Sequence, residues 1–125
     1  MPHVIVMEDD EAIRKTLVQA LDRLEYSVED FADAALAFEQ TDFHRADLVL
    51  TDLRMPMRGS VAIRALRDMD ITCPIIVISG YLRPQDQAHL KALGASAVIA
   101  KPFRIQELYQ TIQTCLEGGA GDSQS

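Results

Sequence analysis

Asp52 stands where charge is hard to place. It follows the apolar run Asp47-Leu48-Val49-Leu50-Thr51 and precedes Leu53-Arg54-Met55-Pro56, so a strand and a turn leave the carboxylate at the edge of the interior. Burying an ion costs several kcal/mol unless it is paired or metal-bound. Glu8-Asp9-Asp10 comes after His3-Val4-Ile5-Val6-Met7, Ser79 ends the run Ile75-Ile76-Val77-Ile78, and Lys101-Pro102 follows Ala97-Val98-Ile99-Ala100. Glu8, Asp9 and Asp52 brought together repel one another, and a divalent cation relieves that repulsion. Hard carboxylate and carbonyl oxygens suit Mg²⁺, and the absence of clustered His or Cys argues against zinc. Lys101 can pair with Asp52 at rest and with a phosphoryl oxygen later, while Ser79 supplies a hydroxyl for another oxygen. This is a layout for phosphoryl transfer by positioning and charge neutralisation, with Asp52 as the nucleophile that forms an aspartyl phosphate.

The elements that must deliver these groups alternate regularly. His3 to Met7 has no polar alternation, as expected of a strand covered on both faces. From Asp10 to Leu24, Ile13, Leu17, Ala20, Leu21 and Leu24 recur at helical spacing. Tyr26 to Phe31 alternates like an edge strand, and Asp33 can cap a helix running to about Gln40. Leu48 to Thr51 is a buried strand, and Ser60 is a candidate cap for a helix carrying Val61, Ala62, Ala65, Leu66 and Met69. Pro74 opens the strand Ile75 to Ile78, Gly94 closes a helix from Gln85 to Leu93, and Ala97 to Ala100 is the last strand. Ile105, Leu108, Ile112 and Leu116 give the last helix an apolar face. Five βα units imply a doubly wound parallel sheet with helices on both faces. Ligands bind such sheets outside the carboxyl ends of the strands, where Glu8, Asp9, Asp52, Ser79 and Lys101 all fall.

Composition narrows the class. With 125 residues, 48% of them hydrophobic, the chain is expected to fold as one globular domain with one core. A receptor for nucleic acid would be basic, whereas the formal charge is −7; direct nucleic-acid binding is not expected. No apolar run is long enough to span a bilayer and no signal-peptide layout precedes Glu8, so a cytoplasmic location without membrane attachment is expected. Cys73 and Cys115 have no CxxC or His-associated spacing and read as reduced structural thiols. His3, His44 and His89 are dispersed and carry no chemistry in this reading. Gly118 to Ser125 is rich in Gly, Ser and Asp, which predicts a domain over 1–117 and a flexible tail or linker over 118–125.

From His3 to about Glu117 the chain resembles a receiver domain of the two-component response regulators. The resemblance is carried by Glu8-Asp9 after the first strand, Asp52-Leu53-Arg54-Met55-Pro56, Ile78-Ser79-Gly80 and Lys101-Pro102-Phe103, whose order and spacing are specific where any one alone is weak. It implies a flavodoxin-like (βα)5 fold with strand order 2-1-3-4-5. It also implies that Asp52 accepts a phosphoryl group from a sensor histidine kinase or a histidine phosphotransfer protein. The activity is that of a signalling phosphoacceptor, able to phosphorylate and dephosphorylate itself, rather than of an enzyme acting on a separate substrate. By the same resemblance Asp9, Asp52 and the backbone carbonyl of Arg54 bind Mg²⁺ directly and Glu8 binds it through water. Ser79 and Lys101 contact the phosphoryl oxygens, and the Lys101-Pro102 bond is cis. Arg54 and Tyr81 occupy positions that tune the lifetime of the phosphoryl group; both are bulky, and slow autodephosphorylation is expected. The first helix is the usual kinase-docking surface and the last two helices the usual partner surface, with a homodimer among the possible active forms.

Departures from the family pattern are local. Gly59 comes three residues after Pro56 where receivers usually place Gly four residues on, and Val98 stands where many receivers carry an aromatic switch residue. The switch is then absent or carried elsewhere, for instance by Tyr81. These departures motivate an alternative, a receiver-like interaction module that works without phosphorylation. A hydrolase of the haloacid-dehalogenase type would need a second Asp two residues after Asp52, where Arg54 stands. A flavin- or nucleotide-binding flavodoxin-like domain would need Gly, Ser or Thr in place of Glu8-Asp9-Asp10.

Overall fold

A computed structural model describes residues 1–53, 59–80 and 82–121. The chain runs β1 (His3–Met7), α1 (Glu11–Arg23), β2 (Ser27–Phe31), α2 (Ala34–Gln40), a short 3₁₀ turn (Phe43–Arg45), β3 (Leu48–Asp52), α3 (Gly59–Asp68), β4 (Ile75–Ser79), α4 (Pro84–Leu93), β5 (Ala97–Ala100) and α5 (Ile105–Gly121). All four strand pairings are parallel, in the order β2-β1-β3-β4-β5. This is the doubly wound parallel sheet expected from the alternation of elements, in the flavodoxin-like strand order that the receiver resemblance implied, and its topology reverses between β1 and β3. A crevice opens there at the carboxyl ends of the strands.

The two faces of the sheet divide the core by residue parity. Ile5, Met7, Val49, Ile75 and Val77 point toward a layer with Ala37, Ile63, Leu66 and Leu90. Val4, Val6, Leu48, Leu50, Ile76 and Ile78 meet Leu17, Leu21, Leu108 and Ile112 on the other side. Burial on both faces explains why β1, β3 and β4 read as continuous apolar runs, and why β2 at the sheet edge does not. Asp10 and Asp33 cap α1 and α2 through side-chain oxygens that accept from Ile13 and Leu36 N–H, as short acceptors at the N-cap position do.

One local expectation is corrected. α3 already includes Gly59, which puts Ser60 inside the first turn rather than at the cap; helical propagation needs only the backbone ladder. The last helix continues to Gly121, four residues past Glu117. Its ladder carries on through glycines that disfavour a helix by only about 1 kcal/mol each. The 3₁₀ turn was not anticipated; it buries Phe43, whose ring lies 4.9 Å from that of Phe38.

The amino-terminal edge of the sheet is tied by side chains. Arg67 of α3 donates to the carbonyls of Ile71 (2.6 Å), Cys73 (2.9 Å) and Gly94 (2.7 and 3.2 Å). One guanidinium thus joins the end of α3, the approach to β4 and the α4–β5 turn. Gly94 has φ +126°, and a Cβ there would lie 2.7 Å from the Arg67 side chain. Two separate constraints therefore require glycine at this helix end. His3 closes the same edge by bonding Ser27 Oγ (2.9 Å) and Glu29 Oε2 (2.6 Å). The Glu29 carboxyl is opposed by its own burial, but the bonds from His3 and Thr41 prevail and hold it below its ordinary value. Replacing Arg67 with Met keeps most of the packing but leaves three carbonyls short of a donor. The expected loss is about 2–4 kcal/mol of unfolding free energy in urea titrations; a change within about 0.5 kcal/mol, the level of ordinary surface substitutions, would refute the stapling role.

Candidate functional site

The acidic groups converge because their strands end together. Met7 pairs with Thr51, and Asp52 with Ile78, in adjacent parallel strands, so Glu8, Asp52 and Ser79 emerge at one edge. Carboxylate oxygens of Glu8, Asp9 and Asp52 all lie within 4.8 Å of one another. Glu8 is fully buried, Asp52 and Ser79 are 4% and 2% exposed, and Asp9 faces solvent. β5 brings Lys101 to the same point. Ser79 pairs with Ala100, and the Lys101 N–H donates to the Ser79 carbonyl at 2.7 Å. The Lys101-Pro102 peptide is cis.

Lys101 serves two carboxylates rather than the one expected. Its Nζ lies 3.0 Å from Glu8 Oε1 and 3.3 Å from Asp52 Oδ2, and it donates a hydrogen bond to the latter. Burial alone would ease its proton off, but the facing carboxylates hold the ammonium above its ordinary pKa. Glu8 Oε1 has that ion pair but accepts no hydrogen bond. The other oxygen, Oε2, accepts from Asp10 N–H at 3.0 Å. The main chain of Glu8 is engaged as well: its N–H donates to Phe31 O at 3.0 Å, and its carbonyl accepts from Arg14 at 2.8 Å.

Arg54 and Tyr81, together with the shortened loop after Pro56, lie outside the described residues. Val98 is half-buried and packs against the core layer that holds Val77 and Leu90. His3 pairs with Glu29 and His44 with Asp42, not with the acidic edge. Cys73 and Cys115 are not joined in a disulfide, and burial pushes the Cys73 thiol above its ordinary range. Sequence reasoning overlooked Arg14 as a contributor to the site; the available signal was a cation one helical turn after an acidic turn.

Comparison with known proteins decides the family. The family model described as the response regulator receiver domain matches residues 4–113. The chain belongs to this family. As a receiver it is 32% identical over 117 residues to the response regulator receiver protein CpdR of Brucella abortus, covering 93% of this chain and 98% of that protein. It is 29% identical over 119 residues to the virulence transcriptional regulatory protein PhoP of Shigella flexneri. The chain spans about half the length of that PhoP and of its counterparts in Escherichia coli, since the match covers 53% of each. Among solved structures, chemotaxis response regulator CheY4 of Vibrio cholerae superposes with a TM-score of 0.83 at 31% identity, covering 93% of this chain and 99% of that one. The non-phosphorylated HemR receiver domain of Leptospira biflexa superposes with a TM-score of 0.86 at 26% identity, covering 93% of this chain and 94% of that one.

The receiver's donor set fits a divalent cation. All three side chains offer oxygen, Glu8 keeps a buried oxygen without a hydrogen bond, and one lysine cannot balance three ionised carboxylates. The imbalance is visible in Glu8, whose pKa is pushed up from 4.5 to about 7. Burial is the largest cause and neighbouring Asp52 adds to it, against the opposing hydrogen bond from Asp10 N–H and the ion pair with Lys101. Between those two values the folded chain holds a proton that the unfolded chain has released. Glu8's contribution to stability is therefore complete below about pH 4.5 and lost as pH rises through about 7. In EDTA, unfolding free energy should fall across this window by up to about 1.4 kcal/mol per pH unit from this group. Glu8→Gln should flatten that part of the profile. A wild-type and a Glu8→Gln profile of equal slope would show that Glu8 is already ionised.

Proposed function

We propose that this receiver is a phosphoacceptor in a two-component relay, with Asp52 as the residue that takes the phosphoryl group. The observation that carries the reading is the buried Asp52 carboxylate at a strand end, facing one lysine and two further acids. Asp52 attacks phosphorus with a carboxylate oxygen; the new P–O bond forms as the bond from phosphorus to the donor's imidazole nitrogen or acyl oxygen breaks. Lys101, already 3.3 Å from Asp52, stays within reach of an oxygen of the incoming group. Ser79, buried beside it at the end of β4, offers a hydroxyl hydrogen to another. These are fixed, partly desolvated donors aimed at developing negative charge, the kind of contribution that dominates phosphoryl transfer.

Asp9, Asp52 and the Arg54 carbonyl would hold Mg²⁺ directly, with Glu8 acting through water. All-oxygen donors of this kind suit an ion that retains several waters. Bound there, it would neutralise phosphoryl and carboxylate charge. The reading extends to a sensor histidine kinase or phosphotransfer protein as donor, and to a cytoplasmic location. Among the described residues no helix is long and apolar enough to cross a membrane. It also takes 1–117 as the receiver proper, with intrinsic autodephosphorylation slowed by the bulk of Arg54 and Tyr81. Once Asp52 carries the phosphoryl group, Ser79 and Lys101 gain contacts in one of two conformations and shift the balance toward it.

Intact mass after incubation with acetyl phosphate tests this. Wild type should gain one phosphoryl group in Mg²⁺ and none in EDTA, and Asp52→Asn should gain none in either. A folded wild-type protein that never forms the adduct would favour the phosphorylation-independent interaction module.

A further inference from the structure

Arg14 touches none of the carboxylates at the acidic edge, yet it grips the backbone that carries two of them. It projects from the second turn of α1, and its Nη1 donates to the Glu8 carbonyl at 2.8 Å. Its Nε donates to Asp30 Oδ2 at 3.1 Å. Asp30 lies on the edge strand β2 in register with Val6, two residues before the point the grip must reach. The next ladder bond, Glu8 N–H to Phe31 O, anchors the same residue from its amino side. The Glu8 main chain is thus held on both sides, by β2 directly and by β2 through Arg14.

We propose that Arg14 is a positioning residue for the cation site. The inference rests on the reading of Glu8, Asp9 and Asp52 as that site. The Glu8 carbonyl and the Asp9 N–H belong to one planar peptide. Fixing the carbonyl direction therefore fixes the rotation of the unit from which Asp9 departs. Asp9 is the exposed member of the acidic trio, so its carboxylate lacks the surrounding walls that hold Glu8 and Asp52 in place. A planar guanidinium is suited to the task because its fork reaches two acceptors at a fixed angle. The ion pair to Asp30 is partly exposed and adds little to global stability; its use is to stop the guanidinium from turning away.

The sign of the effect separates positioning from charge. Removing a nearby cation strengthens binding of another cation if only Coulomb forces act. Losing a positioning contact weakens it, in outer-shell cases by about tenfold or more. Mg²⁺ alone, titrated calorimetrically at fixed pH and ionic strength, is the probe, with Asp9→Asn as control and circular dichroism to verify folding. Arg14→Met is expected to raise the Mg²⁺ dissociation constant about tenfold, in the range of outer-shell substitutions. Arg14→Lys, which keeps the charge and loses the fork, should raise it by a similar factor, and it serves alone if Arg14→Met does not fold. Affinity unchanged or tightened in a folded Arg14 variant overturns the positioning role while leaving the site intact. A wild type that binds no Mg²⁺, or an Asp9→Asn variant that binds it as well as wild type, overturns the site reading and the proposal with it.

Discussion

Three carboxylates within 4.8 Å of one another form an electrostatic deficit that the fold concentrates instead of dispersing. Two of them are buried, and at Glu8 desolvation and the neighbouring Asp52 both oppose ionisation. Lys101 from β5 and the Asp10 N–H from the start of α1 compensate the deficit, while the Phe31 carbonyl of β2 and Arg14 of α1 hold the Glu8 main chain in place. None of them suffices, since Glu8 still holds its proton far above the ordinary range of a carboxyl group. A site left short of positive charge is one that responds to a cation and to a change in the charge of Asp52.

The rest of the molecule keeps the deficit from dissolving. Relaxing the repulsion would require the strand ends to splay, and the strands are pinned by apolar side chains on both faces. Val4, Val6, Leu48, Leu50, Ile76 and Ile78 face one helical layer, while Ile5, Met7, Val49, Ile75 and Val77 face the other. Close-packed interiors of this kind yield little to local strain. The opposite edge of the sheet is stabilised by satisfied pairs, with Arg67 on three carbonyls and His3 on Ser27 and Glu29. One edge of the sheet is tied by satisfied pairs, and the other gathers the carboxylates.

Much of this was legible along the chain. Strands covered on both faces announce themselves as unbroken apolar runs, and charge placed directly after β1, β3 and the edge run of β5 marks the edge where ligands bind. Asp33 and Gly94 were readable as helix boundaries because capping is a local hydrogen-bond problem solved by the nearest side chain or by a positive φ. Ser60 misled for the same reason: it is a competent cap, but α3 already includes Gly59 before it. Phe43 gave no periodic signal, because a single 3₁₀ turn is too short to repeat one.

What the sequence determined by itself was the set of elements, the family, and the group of residues that share the carboxyl edge, since these follow from local periodicity and from where a strand stops. Tertiary structure alone decided the pairings. Lys101 was expected on Asp52, and it sits nearer to Glu8. Nothing in the spacing of the chain singled out Arg14 or Arg67, yet Arg14 holds the Glu8 carbonyl and Arg67 holds the carbonyls of Ile71, Cys73 and Gly94. A long cationic side chain reaches any acceptor within several ångströms, and its choice is set by which neighbours the packed sheet brings near, a through-space property that no spacing along the chain encodes.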